Sequence, residues 1–190
     1  MPRDGEPARL RLQQAAIDLY AEHGFDKVTT AEIAARAGVT ERTYYRHFAD
    51  KREVLFGGEE TLRDLLVAGV ADAPPTLEPL PALLWSFRSA APLLEGNRRV
   101  SEPLQRVIAA TPALRERAQA KTAVLIEALA NALRERGVPE SAASLAARVG
   151  MAAFGHATAV WFREPDQNPD KLLHDTFAEL CALTAPLAAG

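Results

Sequence analysis

Apolar residues recur along this chain at the three- and four-residue spacing of helices, and the period-two alternation of strands is nearly absent. The first stripe is Leu12, Ala16, Ile17 and Tyr20. It belongs to a helix that opens near Pro7-Ala8, where proline suits a first turn, and ends at Gly24, with Phe25 just beyond. A short second helix starts at Thr29-Thr30-Ala31-Glu32, a capping-box spacing in which Glu32 can reach back to the Thr29 amide, and stops at Gly38. A third runs from about Thr40 to His47. The same spacing at Asp50-Lys51-Arg52-Glu53 predicts a fourth, reaching Ala71 and lying between two halves of the chain. Residues 72–81 hold four prolines and predict a connector. Beyond it the pattern predicts helices over 81–94, 98–109, 112–137, 140–163 and 169–187. Their breaks are Gly96-Asn97, Thr111-Pro112, Gly137-Val138-Pro139 and Pro165 to Pro169. The expected fold is all-α with about nine helices.

The stretch from Thr29 to Lys51 places two short helices around Ala37-Gly38-Val39-Thr40, the arrangement of a helix-turn-helix whose second helix can enter a DNA major groove. At about 100° per residue, Tyr44 and Phe48 share one face of that helix, where Val39 and Ile33 can join them in a small core. Arg42 and Arg46 share the opposite face. Arginine there suits guanine, whose O6 and N7 accept a bidentate contact. Thr29 or Thr30, and Lys51, stand at helix starts, where hydroxyls and free amides favour a phosphate. Tyr45 lies on the flank, with its hydroxyl placed for a phosphate.

Charge changes the picture locally. The 190 residues carry 22 basic and 25 acidic side chains, a formal net charge of −3, so the whole chain names no partner. Residues 27–52 nevertheless hold six cations (Lys27, Arg36, Arg42, Arg46, Lys51, Arg52) against Glu32, Glu41 and Asp50. Phosphate contacts are local at physiological screening, so one basic face on an acidic protein can bind DNA. The single cysteine, Cys181, excludes an internal disulfide framework and a multi-cysteine metal site, and it reads as a small core residue. The most apolar stretch, 151–162, is too short to span a bilayer. The start of the chain has no hydrophobic signal core, which makes the cytoplasm the expected location. His23, His47, His156 and His174 form no metal-ligand pair on one turn, and no nucleophile elbow, phosphate-binding glycine loop or HExxH occurs. No enzyme, cofactor or metal is expected.

The run Thr29-Thr30-Ala31-Glu32-Ile33-Ala34-Ala35-Arg36-Ala37-Gly38-Val39-Thr40, with Thr43-Tyr44-Tyr45-Arg46-His47-Phe48-Ala49-Asp50-Lys51 after it and Leu19-Tyr20-Ala21-Glu22-His23-Gly24-Phe25 before it, resembles the N-terminal domain of the TetR family of bacterial repressors. The resemblance covers about residues 8–56. It implies a DNA-binding domain over 1–56 and an effector-binding and dimerisation domain over 57–190. It implies base contacts from Arg42 and Arg46, with Glu41 at another base-facing position where a carboxylate accepts only from cytosine N4. Phosphate contacts are implied for Thr30, Thr43, Tyr45, His47 and Lys51. Many members carry a small residue where Arg42 sits, a departure that makes Arg42 a specificity determinant of this chain.

The later helices supply the rest of the expectation. Ala146, Gly150, Ala153 and Ala157, with Leu173, Phe177, Leu180 and Thr184, form stripes on which two copies can close a four-helix bundle. The alternative is packing of both helices within one monomer. The resemblance implies the homodimer, which sets two recognition helices on one palindromic operator, and a small-molecule effector pocket with Trp85, Phe87, Leu84, Phe154 and Trp161 as large lining candidates. The stretch from Arg98-Arg99-Val100 to Arg115-Glu116-Arg117 resembles a C-terminal type associated with acyl-CoA-like ligands, an apolar tunnel with arginines at its mouth. The expected function is a ligand-responsive repressor. Two other classes compete with it: a DNA-binding protein with no effector, and a helical enzyme whose ionisable cluster would leave the Arg42/Arg46 face without purpose.

Overall fold

The computed structural model describes residues 5–164 and 166–184, with side chains throughout these except at 5–7, 97–100 and 184. The described residues form nine α-helices and no strand: α1 (Gly5–His23), α2 (Thr30–Arg36), α3 (Glu41–His47), α4 (Glu59–Asp72), α5 (Pro79–Ser89), α6 (Ala91–Ala110), α7 (Pro112–Glu135), α8 (Glu140–Arg163) and α9 (Pro169–Thr184). Two 3₁₀ turns, Phe25–Lys27 and Glu53–Phe56, separate the early helices. No described helix is long and apolar enough to cross a membrane.

Two breaks fall elsewhere than the sequence pattern predicts. Asp50 does cap a turn, accepting from the amides of Arg52 and Glu53 at 2.7 and 3.1 Å, but that turn is the 3₁₀ segment. Gly57-Gly58 then interrupts it, with Gly58 at φ +129°, so the fourth helix opens at Glu59 and not at Asp50. The second correction is that Gly96-Asn97 breaks nothing. The chain breaks at Ala90, whose amide bonds back to the Phe87 carbonyl, because Pro92 lacks an N–H and fits only in the first turn of the next helix. Gly96 rides inside α6 with open space where a Cβ would stand.

The chain divides into two compact units. The first comprises residues up to Glu60 together with Gly96–Lys121, so the α6–α7 corner belongs to it and it extends beyond the first 56 residues. Its core joins Leu12, Ile17, Tyr20, Ile33, Tyr44 and Leu55 to Val107, Ile108 and Leu114 of that corner. The second unit comprises Thr61–Glu95 and residues from Thr122 onward. Its core is built on Leu66, Leu83, Phe87, Leu129, Phe154 and Phe177, with a row of alanines from α8 between them.

Candidate nucleic-acid interface

Three local devices fix α2 and α3. Thr29 and Glu32 form a complete capping box: the Thr29 hydroxyl accepts from the Glu32 amide at 3.2 Å, and Glu32 accepts from the Thr29 amide at 2.8 Å. The amide bond to Thr29 holds the Glu32 carboxyl below its ordinary range. At the other end, Gly38 takes φ +69°, its amide bonds to the Ala35 carbonyl, and the Val39 amide reaches the Ala34 carbonyl. This Schellman pattern needs a left-handed residue, which glycine supplies without a Cβ penalty. Thr40 then caps α3 by accepting from the Thr43 amide.

Tyr44 and Phe48 are buried as their spacing predicts, with Ile33 in the same core and Val39 packed against it. Two tyrosines pin the loop after α3. Tyr20 donates to the Lys51 carbonyl and Tyr44 to the Asp50 carbonyl at 3.0 Å. Burial, followed by nearby groups including Asp50, pushes both phenols well above their ordinary pKa, so they remain donors.

On the opposite face of α3, Arg42 and Arg46 are exposed and make no ion pair or side-chain hydrogen bond with the described residues. With Thr43 and Tyr45 they line a shallow open depression. Two other cations of the segment are engaged in ion pairs. Arg36 forms a two-point contact with Glu22 at 3.0 and 3.3 Å, and Arg52 pairs with Asp50 at 2.9 Å.

The expected phosphate ligands divide. Thr43 meets the Thr40 hydroxyl at 3.1 Å, and His47 is half-buried with its ring beside Phe48. The Thr29 hydroxyl is spent on its cap. Lys51 is already engaged within the chain: its ammonium donates to the carbonyls of Phe25, Asp26 and Val28 at 3.0, 3.4 and 3.4 Å and lies 4.3 Å from the Phe25 ring centre. A carbonyl cluster at the end of a 3₁₀ turn competes for all three ammonium protons. The Thr30 hydroxyl donates to Glu41 at 2.7 Å and lies 3.1 Å from the Tyr45 hydroxyl, a grouping that joins α2 to α3.

Sequence reasoning missed a second cluster in this unit. Glu53 accepts from Arg117 at 2.6 Å and from Lys121 at 3.2 Å, and Lys121 also meets Glu59 at 2.9 Å. Residues 53 and 117 have no shared periodicity, so no local signal could reveal the pairing.

The second unit revises three expectations. Phe87, Phe154 and Trp161 do line one cavity, together with Leu94, Thr158 and Leu173. Trp85 is 48% exposed, and Leu84 packs against the core without lining the cavity. The free volume is about 20 Å³, room for about one water. Among the described residues no arginine lines it: Arg117 is bound to Glu53, and the side chains of Arg98 and Arg99 lie outside the described residues. The expected dimer stripe is likewise internal. Ala146, Gly150, Ala153, Ala157, Leu173 and Phe177 are all buried within one chain, Leu180 is half-buried against the same core, and the Thr184 side chain lies outside the described residues. Their small size serves α5: a Cβ on Gly150 would stand 2.8 Å from a Leu83 methyl. The outer face of α8 instead presents Leu145, Arg148, Ala152, Gly155, His156 and Ala159. Cys181, expected in the core, is exposed.

Residues 12–56 match the family described as "Bacterial regulatory proteins, tetR family". The chain is 31% identical over 81 residues to the HTH-type transcriptional regulator TcmR of Streptomyces glaucescens, across 43% of this chain and 36% of that one. It is 31% identical over 120 residues to the HTH-type transcriptional regulator Mb2274c of Mycobacterium bovis, across 63% of this chain and 61% of that one. The chain thus spans between about a third and three-fifths of the lengths of these relatives. Among solved structures, SmeT of Stenotrophomonas maltophilia in complex with triclosan superposes with a TM-score of 0.63 at 24% identity over 90% of both chains, which shows a common fold.

Proposed function

We propose that this chain, which belongs to the TetR family of bacterial regulatory proteins, regulates transcription by binding a palindromic DNA operator in the cytoplasm as a homodimer, one α3 helix per half-site. The observation that carries the reading is the pair Arg42 and Arg46: two exposed guanidinium groups four residues apart, both unpaired, on a helix whose other face is locked in the core. Each can donate two parallel hydrogen bonds to guanine O6 and N7. Thr43 and His47 flank them and serve the backbone.

The homodimer rests on the outer face of α8. Small residues at 152, 155 and 159 leave the helix surface flat, and beyond α8's own backbone no described residue stands within 4 Å of a Cβ at Gly155. A close helix pairing with a second copy fits such a face. Ala152→Glu is expected to convert dimer to monomer in sedimentation equilibrium without loss of helix content.

Repression and its relief by a small molecule follow the likeness to SmeT, named as the repressor of a multidrug efflux pump. An apolar or acyl-CoA-like effector entering beside Phe87 and Phe154 would bind a state with misplaced recognition helices and draw the population off operator. The small cavity, about 20 Å³, favours a second reading, a DNA-binding regulator with no effector. Thermal melting with saturating triclosan and acyl-CoAs separates them: a rise in midpoint supports the effector, and none supports the second reading.

The decisive experiment is selection of bound sequences from a random duplex library. An enriched palindrome, with base preference relaxed at one half-site position in Arg42→Ala or Arg46→Ala, is expected. Equal loss on every sequence for both variants would remove the arginines from base reading.

A further inference from the structure

We infer that Glu41 sets the base preferred at one position of each half-site, and that Thr30 and Tyr45 are the positioning residues that hold it. This rests on the DNA-binding reading above.

Proton bookkeeping gives the hydrogen bonds a direction. The Thr30 hydroxyl has one proton and donates it to Glu41 Oε1 at 2.7 Å. The 3.1 Å contact between Thr30 and Tyr45 must then run from the tyrosine as donor to the threonine as acceptor. The result is a relay, Tyr45 to Thr30 to Glu41, that ends on a carboxylate because a carboxylate only accepts. Both hydroxyl protons that could meet a phosphate are committed to it.

The relay leaves Glu41 Oε2 without a partner, and neither Arg42 nor Arg46 neutralises the carboxylate. Besides the two arginine donors, α3 therefore carries one oriented acceptor at its first residue. An acceptor needs a donor on the base edge. Cytosine offers its N4 amino group, adenine offers N6 beside the acceptor N7, and guanine and thymine present acceptors only. Acceptor against acceptor is a repulsive element that rejects guanine and thymine, as specificity requires. Holding the side chain in advance also reduces the rotamer freedom lost on binding. The predicted order at this position is cytosine, then adenine, then thymine and guanine.

The test repeats the selection with wild type, Glu41→Gln, Thr30→Ala, Thr30→Ser and Tyr45→Phe, each checked for unchanged melting. Wild type is expected to enrich cytosine over guanine by about tenfold at one position distinct from those read by the arginines. Glu41→Gln should move that position to adenine, which a carboxamide contacts at N6 and N7. Thr30→Ala and Tyr45→Phe should broaden that position alone, and Thr30→Ser should restore it. A palindrome unchanged by Glu41→Gln overturns the inference while leaving the DNA-binding reading intact. Thr30→Ala and Tyr45→Phe that weaken all sequences equally would make these hydroxyls phosphate ligands and overturn their positioning role. No enrichment by wild type removes the DNA-binding reading, and this inference with it.

Discussion

The two compact units are both helical, yet they are held together differently. The first is tied by directional polar contacts that span long stretches of chain: Tyr20, Tyr44, Lys51 and Arg11 all donate to backbone carbonyls, and Gln13 reaches the Leu55 carbonyl. The second has such contacts as well, with Arg136 donating to the Val70, Ala73 and Pro74 carbonyls at 3.1, 2.7 and 2.8 Å, and adds to them a close approach of helices. A Cβ on Gly69 would stand 2.9 Å from the Ser86 backbone, and α8 supplies Ala143, Ala147, Gly150 and Ala153 to its core. Hydrogen bonds fix angle as well as distance, which suits a unit proposed to present Arg42 and Arg46 in one orientation. Close helix contact fixes distance alone and accommodates a cavity between Phe87 and Trp161.

The contrast can be broken at several points. The largest effect is expected for Gly69→Leu, because the first added carbon meets backbone that cannot rotate away. A loss of about 3 kcal/mol, read by chemical denaturation, is expected. A neutral outcome would show that the close approach in the second unit is not needed.

Lys51→Ala comes next. With its ammonium on three carbonyls and the Phe25 ring, its loss should cost about 2 kcal/mol of stability. DNA affinity should then fall no more than the folded fraction does. Full stability with uniformly weakened DNA binding would return Lys51 to the phosphate ligands.

A smaller effect concerns pH. Burial raises the Glu53 carboxyl, but hydrogen bonds from Arg117 and Lys121 outweigh it and hold the group below the ordinary 4.5. Its stabilisation is therefore present above that value and lost as pH falls through the depressed folded value. Glu59 has the opposite sign: burial outweighs Lys121 and raises its carboxyl, so its cost is present at neutral pH and disappears on acidification toward 4.5. In melting curves across pH, Glu59→Gln should raise stability at neutral pH and leave the acid loss in place. Glu53→Gln should lower it and remove that loss. The smallest effect is a gain: Gly96→Ala, helical and with open space around it, should add about 0.5–1 kcal/mol.

The sequence by itself determined what is local. Helix periodicity, the capping box at Thr29 and Glu32, the glycine turn at Gly38 and the opposed faces of Tyr44 and Arg42 all act within about four residues, so one short window contains both partners of each interaction. The break between Asp72 and Pro79 was legible for the same reason, since proline acts on its own backbone, although residues 79–81 of the expected connector form the first turn of α5. Only the tertiary structure decided what depends on distant partners. Thr30 meets Glu41 across the turn, Lys51 meets Phe25, and Arg117 meets Glu53. A small residue on a helix records that something lies close but not whether it is the same chain or another. In Ala146, Gly150 and Ala153 the neighbour is the same chain's core, and the face left exposed is the one through Ala152 and Gly155. Periodicity defines the stripes of a helix, and packing assigns each stripe its partner.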